Sequence, residues 1–197
     1  PSFVLAIEAT AGGNSNIAEL TVTLNDLDGP PFAGLDGTPS FTEGGTAVVL
    51  DADATGSDTE LDALNGGDGN YSGATLPVER SGGANADDVF GFSFGSSTVS
   101  LVGSAFVVGG ITIASLSQAN GTATVTFTDA NGEVPTTAHV NAILQALTYD
   151  STDTSLLDGQ SAPAVIAYTF VDGSPEDDGT GTVTVTVNGS NIGISET

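Results

Sequence analysis

The chain has 197 residues and a formal net charge of -24, because 25 Asp and Glu residues face a single basic side chain, that of Arg80. Nucleic acid and anionic membrane surfaces are therefore disfavoured as partners, since almost nothing can neutralise their phosphates. No stretch has the length of a membrane span, so insertion into a membrane is not expected. The chain has no Cys, and bound cations would relieve the repulsion between its acidic residues.

Alternation of apolar residues with Thr predicts β-strands along most of the chain. The clearest segments are 3–8, 18–24, 122–127, 164–170 and 182–187. A period of two residues is typical of strands with one buried face. Turn sequences rich in Gly, Asn and Asp separate the strands, as at 65–70, 129–132 and 172–175. Together these features predict an all-β fold, an antiparallel Greek-key β-sandwich of the cadherin or immunoglobulin type.

One segment, 135–147, predicts a short helix instead of a strand. Its apolar residues fall at i, i+3, i+4 and i+7, and they are Val140, Ile143, Leu144 and Leu147. Thr136 or Thr137 is the expected N-cap. We expect this helix to pack on the edge of the sandwich. His139 lies off the apolar stripe and is expected at the surface.

An acidic stretch, DADATGSDTELD at 51–62, matches the spacing of an EF-hand calcium loop. Side-chain oxygens fall at Asp51, Asp53, Thr55 and Asp62, around a central Gly56. An EF-hand loop joins two helices, whereas this stretch follows a β-branched run at 45–50 that is typical of a strand. Two interpretations are open: calcium bound by a subset of Asp51 to Asp62, or a solvated acidic turn at the end of a sheet.

A faint internal repeat predicts the domain organisation. Segments 3–28 and 165–191 share one layout, in which a strand, a polar Gly-rich loop and a Thr/Val strand are followed by an Asn-led turn. We therefore interpret residues 1–37 as the closing hairpin of a preceding repeat plus a linker, and residues 38–197 as one complete sandwich. Since an isolated hairpin is marginally stable, it is expected to pack on the sandwich or on another molecule.

Several motifs resemble cadherin repeats. The sequence from Thr21 to Phe32 is similar to the end of such a repeat, where a Thr/Val strand enters an acidic linker and then a proline. The opening Phe41-Thr42-Glu43-Gly44-Gly45 and the acidic element Ser57-Asp58-Thr59-Glu60 are similar to the start of the next one. The stretches 82–90 and 126–151 resemble the long cadherin-like tandem repeats of large secreted bacterial adhesins of the RTX type.

The resemblance implies an extracellular protein, secreted or at the cell surface, that holds Ca²⁺ at the junctions between repeats. It implies that Asp26 and Asp28 are linker ligands, Glu43 the first-strand ligand, and Asp58 and Glu60 the acidic pair. Leu27 and Gly29 depart from the linker pattern. The oxygen donors of the acidic segments favour Ca²⁺ independently of the resemblance, because Zn²⁺ and Cu²⁺ prefer the nitrogen and sulfur donors that are nearly absent here.

The sequence predicts a non-enzymatic protein, because its single His is accompanied by no nucleophile motif and no phosphate-binding loop. The first prediction is a structural and adhesive repeat stiffened by calcium, whose partners are neighbouring repeats. An alternative is a fibre subunit that forms head-to-tail polymers with copies of itself, its N-terminal hairpin adding to the sheet of the next molecule. A third is a carbohydrate or host-surface binding module, which would need exposed aromatic side chains.

Arg80 is expected to form an exposed and weak ion pair with Glu79 or a nearby Asp.

Overall fold

A computed structural model describes residues 2–11, 14–23, 32–172 and 178–191, and for the first two ranges it describes the backbone. Its strands are β1 (Ser2–Ala11), β2 (Asn14–Thr23), β3 (Phe32–Ala33), β4 (Ser40–Thr42), β5 (Val48–Val49), β6 (Thr55–Gly56), β7 (Thr75–Arg80), β8 (Asp88–Phe92), β9 (Val99–Val102), β10 (Ala105–Val108), β11 (Ile111–Ala119), β12 (Thr122–Phe127), β13 (Leu147–Ser151), β14 (Ser161–Phe170) and β15 (Gly179–Asn188). The helices are α1 (Thr59–Ala63) and α2 (Thr137–Ala146), and a 3-10 turn spans Asn65–Gly67.

Two sheets form the sandwich. The larger has the strand order β4-β15-β14-β7-β12-β11-β10-β9, and the smaller has the order β5-β13-β8. Neighbouring strands are antiparallel, except that β4 runs parallel to β15. The predicted all-β sandwich is confirmed, and so are the five strands expected from the Thr/Val alternation.

Alternation along the strands places the apolar residues in one core between the sheets. In β15, Val183, Val185 and Val187 are buried, whereas the threonines that alternate with them, at 182, 184 and 186, are exposed. The two sheets meet through aromatic rings: Phe41 of the larger sheet lies edge-on to Tyr149 of the smaller, with centroids 5.6 Å apart. Every aromatic residue between Phe32 and Phe170 is buried or half-buried. This part of the chain therefore presents no surface lined by exposed aromatic rings, as a sugar-binding module would need.

The predicted helix at 135–147 is confirmed as α2, with Thr136 as its N-cap. The Thr136 hydroxyl accepts a hydrogen bond from the backbone N–H of His139, and the His139 ring accepts one from the N–H of Thr136. This reciprocal cap orients the buried residues Val140, Ile143 and Leu144 toward the core. His139 is half-buried and serves the helix end. No described helix has the length and apolarity that crossing a membrane requires.

The N-terminal hairpin forms a sheet of its own. Strands β1 and β2 pair over ten positions, from Ser2 opposite Thr23 to Ala11 opposite Asn14. Neither strand is hydrogen-bonded to another strand of the described chain. The sandwich begins to form at Phe32, which lies in the core and pairs through β3 with β6. The segment 32–37, assigned from the sequence to the linker, thus packs against the sandwich.

Candidate metal centre

Two loops meet where the chain enters the sandwich. Pairing of β3 with β6 aligns Phe32 with Gly56 and Ala33 with Thr55, so the segment after β3 runs beside the segment before β6. The N–H of Gly37 donates to the Asp51 carboxylate at 2.7 Å and fixes the two loops against each other. A Cβ at Gly37 would lie 2.8 Å from the same oxygen, so this close approach requires glycine.

The contact brings three carboxylates together. One oxygen each from Asp36, Asp51 and Asp53 lies within 4.8 Å of the others. Two oxygens on opposite sides of one calcium ion would be about 4.8 Å apart, because each Ca–O bond is about 2.4 Å long. Asp51 is buried, whereas Asp36 and Asp53 are exposed. The cluster thus offers calcium ligands that reach from the sandwich interior to solvent.

Like charge dominates the electrostatics of this cluster. The pKa of Asp53 is raised, first by a hydrogen bond to the Asp51 carboxyl and by the charge of Asp51, then by burial and the charge of Asp36. The backbone N–H of Asp53 donates to Asp51 Oδ1 at 3.2 Å and holds the two residues close together, so a bound cation would relieve the repulsion between their carboxylates. No basic side chain of the described residues pairs with it.

Tyr168 extends the cluster toward the core. Its side chain is fully buried and packs edge-on to Phe32, and its hydroxyl has no hydrogen-bond partner among the described residues. Burial raises the pKa of Tyr168, and the negative charge of Asp51 raises it further. The hydroxyl therefore lies within the electrostatic reach of the cluster, with its own hydrogen-bonding capacity unused.

The second half of the acidic stretch builds helix α1, which the sequence did not predict. Asp58 is the N-cap, and its carboxylate accepts from the N–H of Leu61 at 2.7 Å. Asp62 accepts from the hydroxyl of Tyr71 at 2.6 Å and from that of Thr137, so it ties α1 to the start of α2. Glu60 is exposed in the first turn of α1. The structure thus separates Asp51 and Asp53 from the acidic groups of α1.

Glu43 lies elsewhere, directly after β4. Its side chain is 3% exposed, and one carboxylate oxygen accepts from the N–H of Leu156 at 3.2 Å. The resemblance pairs Glu43 with Asp58 and Glu60, but the metal-compatible cluster found in the described chain contains none of these three residues. The remaining predicted ligands, Asp26 and Asp28, lie outside the described residues.

Asp36 is a candidate ligand that the sequence reasoning missed. It stands in the segment assigned to the linker, fifteen positions before Asp51, and only the pairing of β3 with β6 makes the two residues neighbours. The available signal was the apolar Phe32 before Asp36, which indicates that this segment contacts the core.

Arg80 pairs with a nearby Asp as expected, but the expectation that the pair is exposed is wrong. Arg80 binds Asp88 through two nitrogens, with Nε 2.8 Å from the carboxylate, and the Asp88 side chain is fully buried. The hydroxyl of Tyr149 donates to the same carboxylate at 2.9 Å.

Comparison with protein-family models, with curated proteins and with solved structures found no match for this chain.

Proposed function

We propose that this chain is a non-enzymatic structural and adhesive repeat of an extracellular protein, stiffened by calcium where the N-terminal segment joins the sandwich. The observation that carries the proposal is the cluster of Asp36, Asp51 and Asp53. Asp36 belongs to the segment that leads into the sandwich, and Asp51 and Asp53 belong to the sandwich itself. A cation shared by the two segments would resist their separation.

The composition supports the same proposal. A chain with 25 acidic residues and one Lys or Arg gains from any cation that binds only the folded state. The sole histidine, the usual general base of an enzyme, is held in the cap of α2, where its ring accepts a hydrogen bond from the N–H of Thr136. That position gives it a structural role.

A thermal melt of the chelator-treated protein tests the proposal. Calcium at a hundredfold excess over its Kd adds about 2.7 kcal/mol to the free energy of unfolding of a one-site protein. We expect a rise in Tm with Ca²⁺ that Mg²⁺ at the same ionic strength does not reproduce. Asp36→Asn and Asp53→Asn should each reduce it, whereas the exposed Asp158→Asn should not. Equal responses to Ca²⁺ and Mg²⁺ would count against a specific centre.

A second candidate function is self-assembly through the N-terminal hairpin. It is favoured by the separate sheet of β1 and β2, whose outer edges pair with no described strand. Long open edges are templates for pairing with another chain. The contact would be head-to-tail and would generate filaments if it did not close.

A further inference from the structure

Glu43 has a buried carboxylate oxygen that makes no hydrogen bond with the described residues. One oxygen of this side chain accepts from the N–H of Leu156, whereas Oε2 has no hydrogen-bond partner among the described residues. The backbone leaves the residue little freedom, because its N–H donates to Asn188 and its carbonyl accepts from the hydroxyl of Ser190. The side chain is thus held inside although half of its carboxylate is unsatisfied, which is costly for a charged group.

Glu43 lines a cavity of about 90 Å³. The other polar residues in its wall are Arg80, Asn85, Tyr149, Ser151, Asp153 and Ser155. Asp153 uses one oxygen to accept from the N–H of Ser155 at 2.9 Å. The volume is sufficient for an ion that retains water molecules.

No basic side chain of the protein is free to neutralise Glu43. The sequence contains one Lys or Arg, which is Arg80, and one His, which is His139. The Arg80 guanidinium reaches the cavity but binds Asp88 through two nitrogens and contacts the hydroxyl of Tyr149 at 3.1 Å. His139 is engaged in the cap of α2. A cation from solution would supply the missing positive charge.

We propose that this cavity is a second cation site, which holds Ca²⁺ between the carboxylates of Glu43 and Asp153. Two carboxylates and serine oxygens are hard donors, and two negative charges match a divalent ion. The site shares no residue with the cluster of Asp36, Asp51 and Asp53 and does not rest on it. Its ligands also differ from the set that the cadherin resemblance assigns to Glu43, because Asp153 takes the place of Asp58 and Glu60.

Terbium luminescence and calcium calorimetry on the chelator-treated full chain test this site. The protein has no Trp and only three Tyr, and Tyr149 lines the cavity, so excitation of tyrosine should sensitise Tb³⁺ bound there. We expect Ca²⁺ to displace that Tb³⁺. Glu43→Gln and Asp153→Asn should each weaken one class of calcium sites at least tenfold, whereas the exposed Asp158→Asn, in the same loop, should bind as the wild type does.

The variants separate this proposal from the metal centre proposed above. Asp53→Asn should leave calcium binding at the Glu43 site intact, so loss of binding in one variant alone identifies which site exists.

Thermal melts give a second readout. Without calcium, Glu43→Gln should melt no lower than wild type, because it removes an uncompensated buried charge. With calcium it should melt lower than wild type. If Glu43→Gln fails to fold, Asp153→Asn in the half-buried loop supplies the same comparison. Unchanged calcium binding in a folded Glu43→Gln or Asp153→Asn variant would overturn the proposal and identify the cavity as a water site.

Discussion

Arg80 is the only Lys or Arg residue of the chain, and it forms an ion pair with a buried carboxylate. Arg80 in β7 and Asp88 in β8 join the two sheets, and the hydroxyl of Tyr149 in β13 completes the group. The pKa of Arg80 is raised by its hydrogen bonds to Asp88, against a smaller opposing effect of burial. In a protein so rich in carboxylates, the one guanidinium is paired with a carboxylate that is fully buried.

Replacement of Arg80 by Met should strongly destabilise the protein. The Asp88 carboxylate would stay buried with no positive partner, and loss of one member of a buried ion pair costs about 3 kcal/mol or more. Urea denaturation should show a lower midpoint with an unchanged slope. Glu79→Gln, the adjacent position in β7, is the matched control. A loss below about 1 kcal/mol for Arg80→Met would mean that solvent replaces the guanidinium.

At single residues, the sequence identifies two of the three clustered carboxylates as candidate ligands and misses the third. The carboxylates of Asp51 and Asp53 were candidates because a two-residue spacing and a nearby glycine are visible locally. Asp36 was missed because its proximity depends on the pairing of two-residue strands, β3 and β6, which carry almost no periodic signal. Asp58 and Asp62 were assigned to the same loop as Asp51, since an N-cap and a calcium ligand require the same residue type.

At the level of elements, long regular patterns were readable and short ones were not. Strands β12, β14 and β15 alternate Thr or Ala with larger apolar residues over six or more positions, and their prediction is confirmed. Helix α1 has five residues and no buried side chain, so the sequence has no apolar stripe there that would predict a helix. It is stabilised by its Asp58 N-cap and by the contacts of Asp62 with Tyr71, nine residues away, and with Thr137, 75 residues away.

The N-terminal hairpin makes a prediction about assembly. Because β1 and β2 pair with no other described strand, we expect the full chain to associate as its concentration rises, and a chain lacking residues 1–30 to stay monomeric with the same Tm. Analytical ultracentrifugation measures this difference. Leu5 and Leu20 are opposite each other in the register, so replacing both by Glu should abolish association.

The matched control uses Thr10 and Ser15, another opposite pair of the hairpin. Thr10 is five positions from Leu5, and Ser15 is five positions from Leu20. Because successive residues of a strand alternate between its two faces, an odd separation places this pair on the other face of the hairpin. Replacing both by Glu should change association much less. If truncation instead lowered the Tm, the hairpin would pack on its own sandwich, and the assembly prediction would fail.

For the molecule as a whole, ionisable side chains occupy the interior as well as the surface. In the described chain Glu43, Asp51, Asp58 and Asp88 are buried, and so are all three tyrosines, Tyr71, Tyr149 and Tyr168. Burial is the largest cause of the raised pKa of each tyrosine, and the neighbouring carboxylates Asp62, Asp88 and Asp51 add to it. The fold therefore disfavours the ionised form of every tyrosine in the chain.

This arrangement predicts cooperative unfolding in alkali. A tyrosine in the unfolded chain ionises near pH 10, whereas each native tyrosine holds its proton to higher pH. Above pH 10 the native state thus binds more protons than the unfolded state, and stability falls as pH rises. We expect tyrosinate absorbance at about 295 nm to stay low past pH 10 and then to rise in one step, together with the loss of the far-ultraviolet circular dichroism signal.

The absence of Trp keeps the tyrosinate signal free of other chromophores, and a tyrosine amide measured in the same buffers gives the unburied reference. Tyr168→Phe should remove one third of the absorbance step and shift the transition to higher pH, because the unfolded state then gains one ionisation fewer. Its hydroxyl makes no hydrogen bond with the described residues, so this variant should fold at neutral pH. Gradual ionisation near pH 10 in a chain with native circular dichroism would contradict the prediction, since it would require tyrosine hydroxyls in contact with solvent.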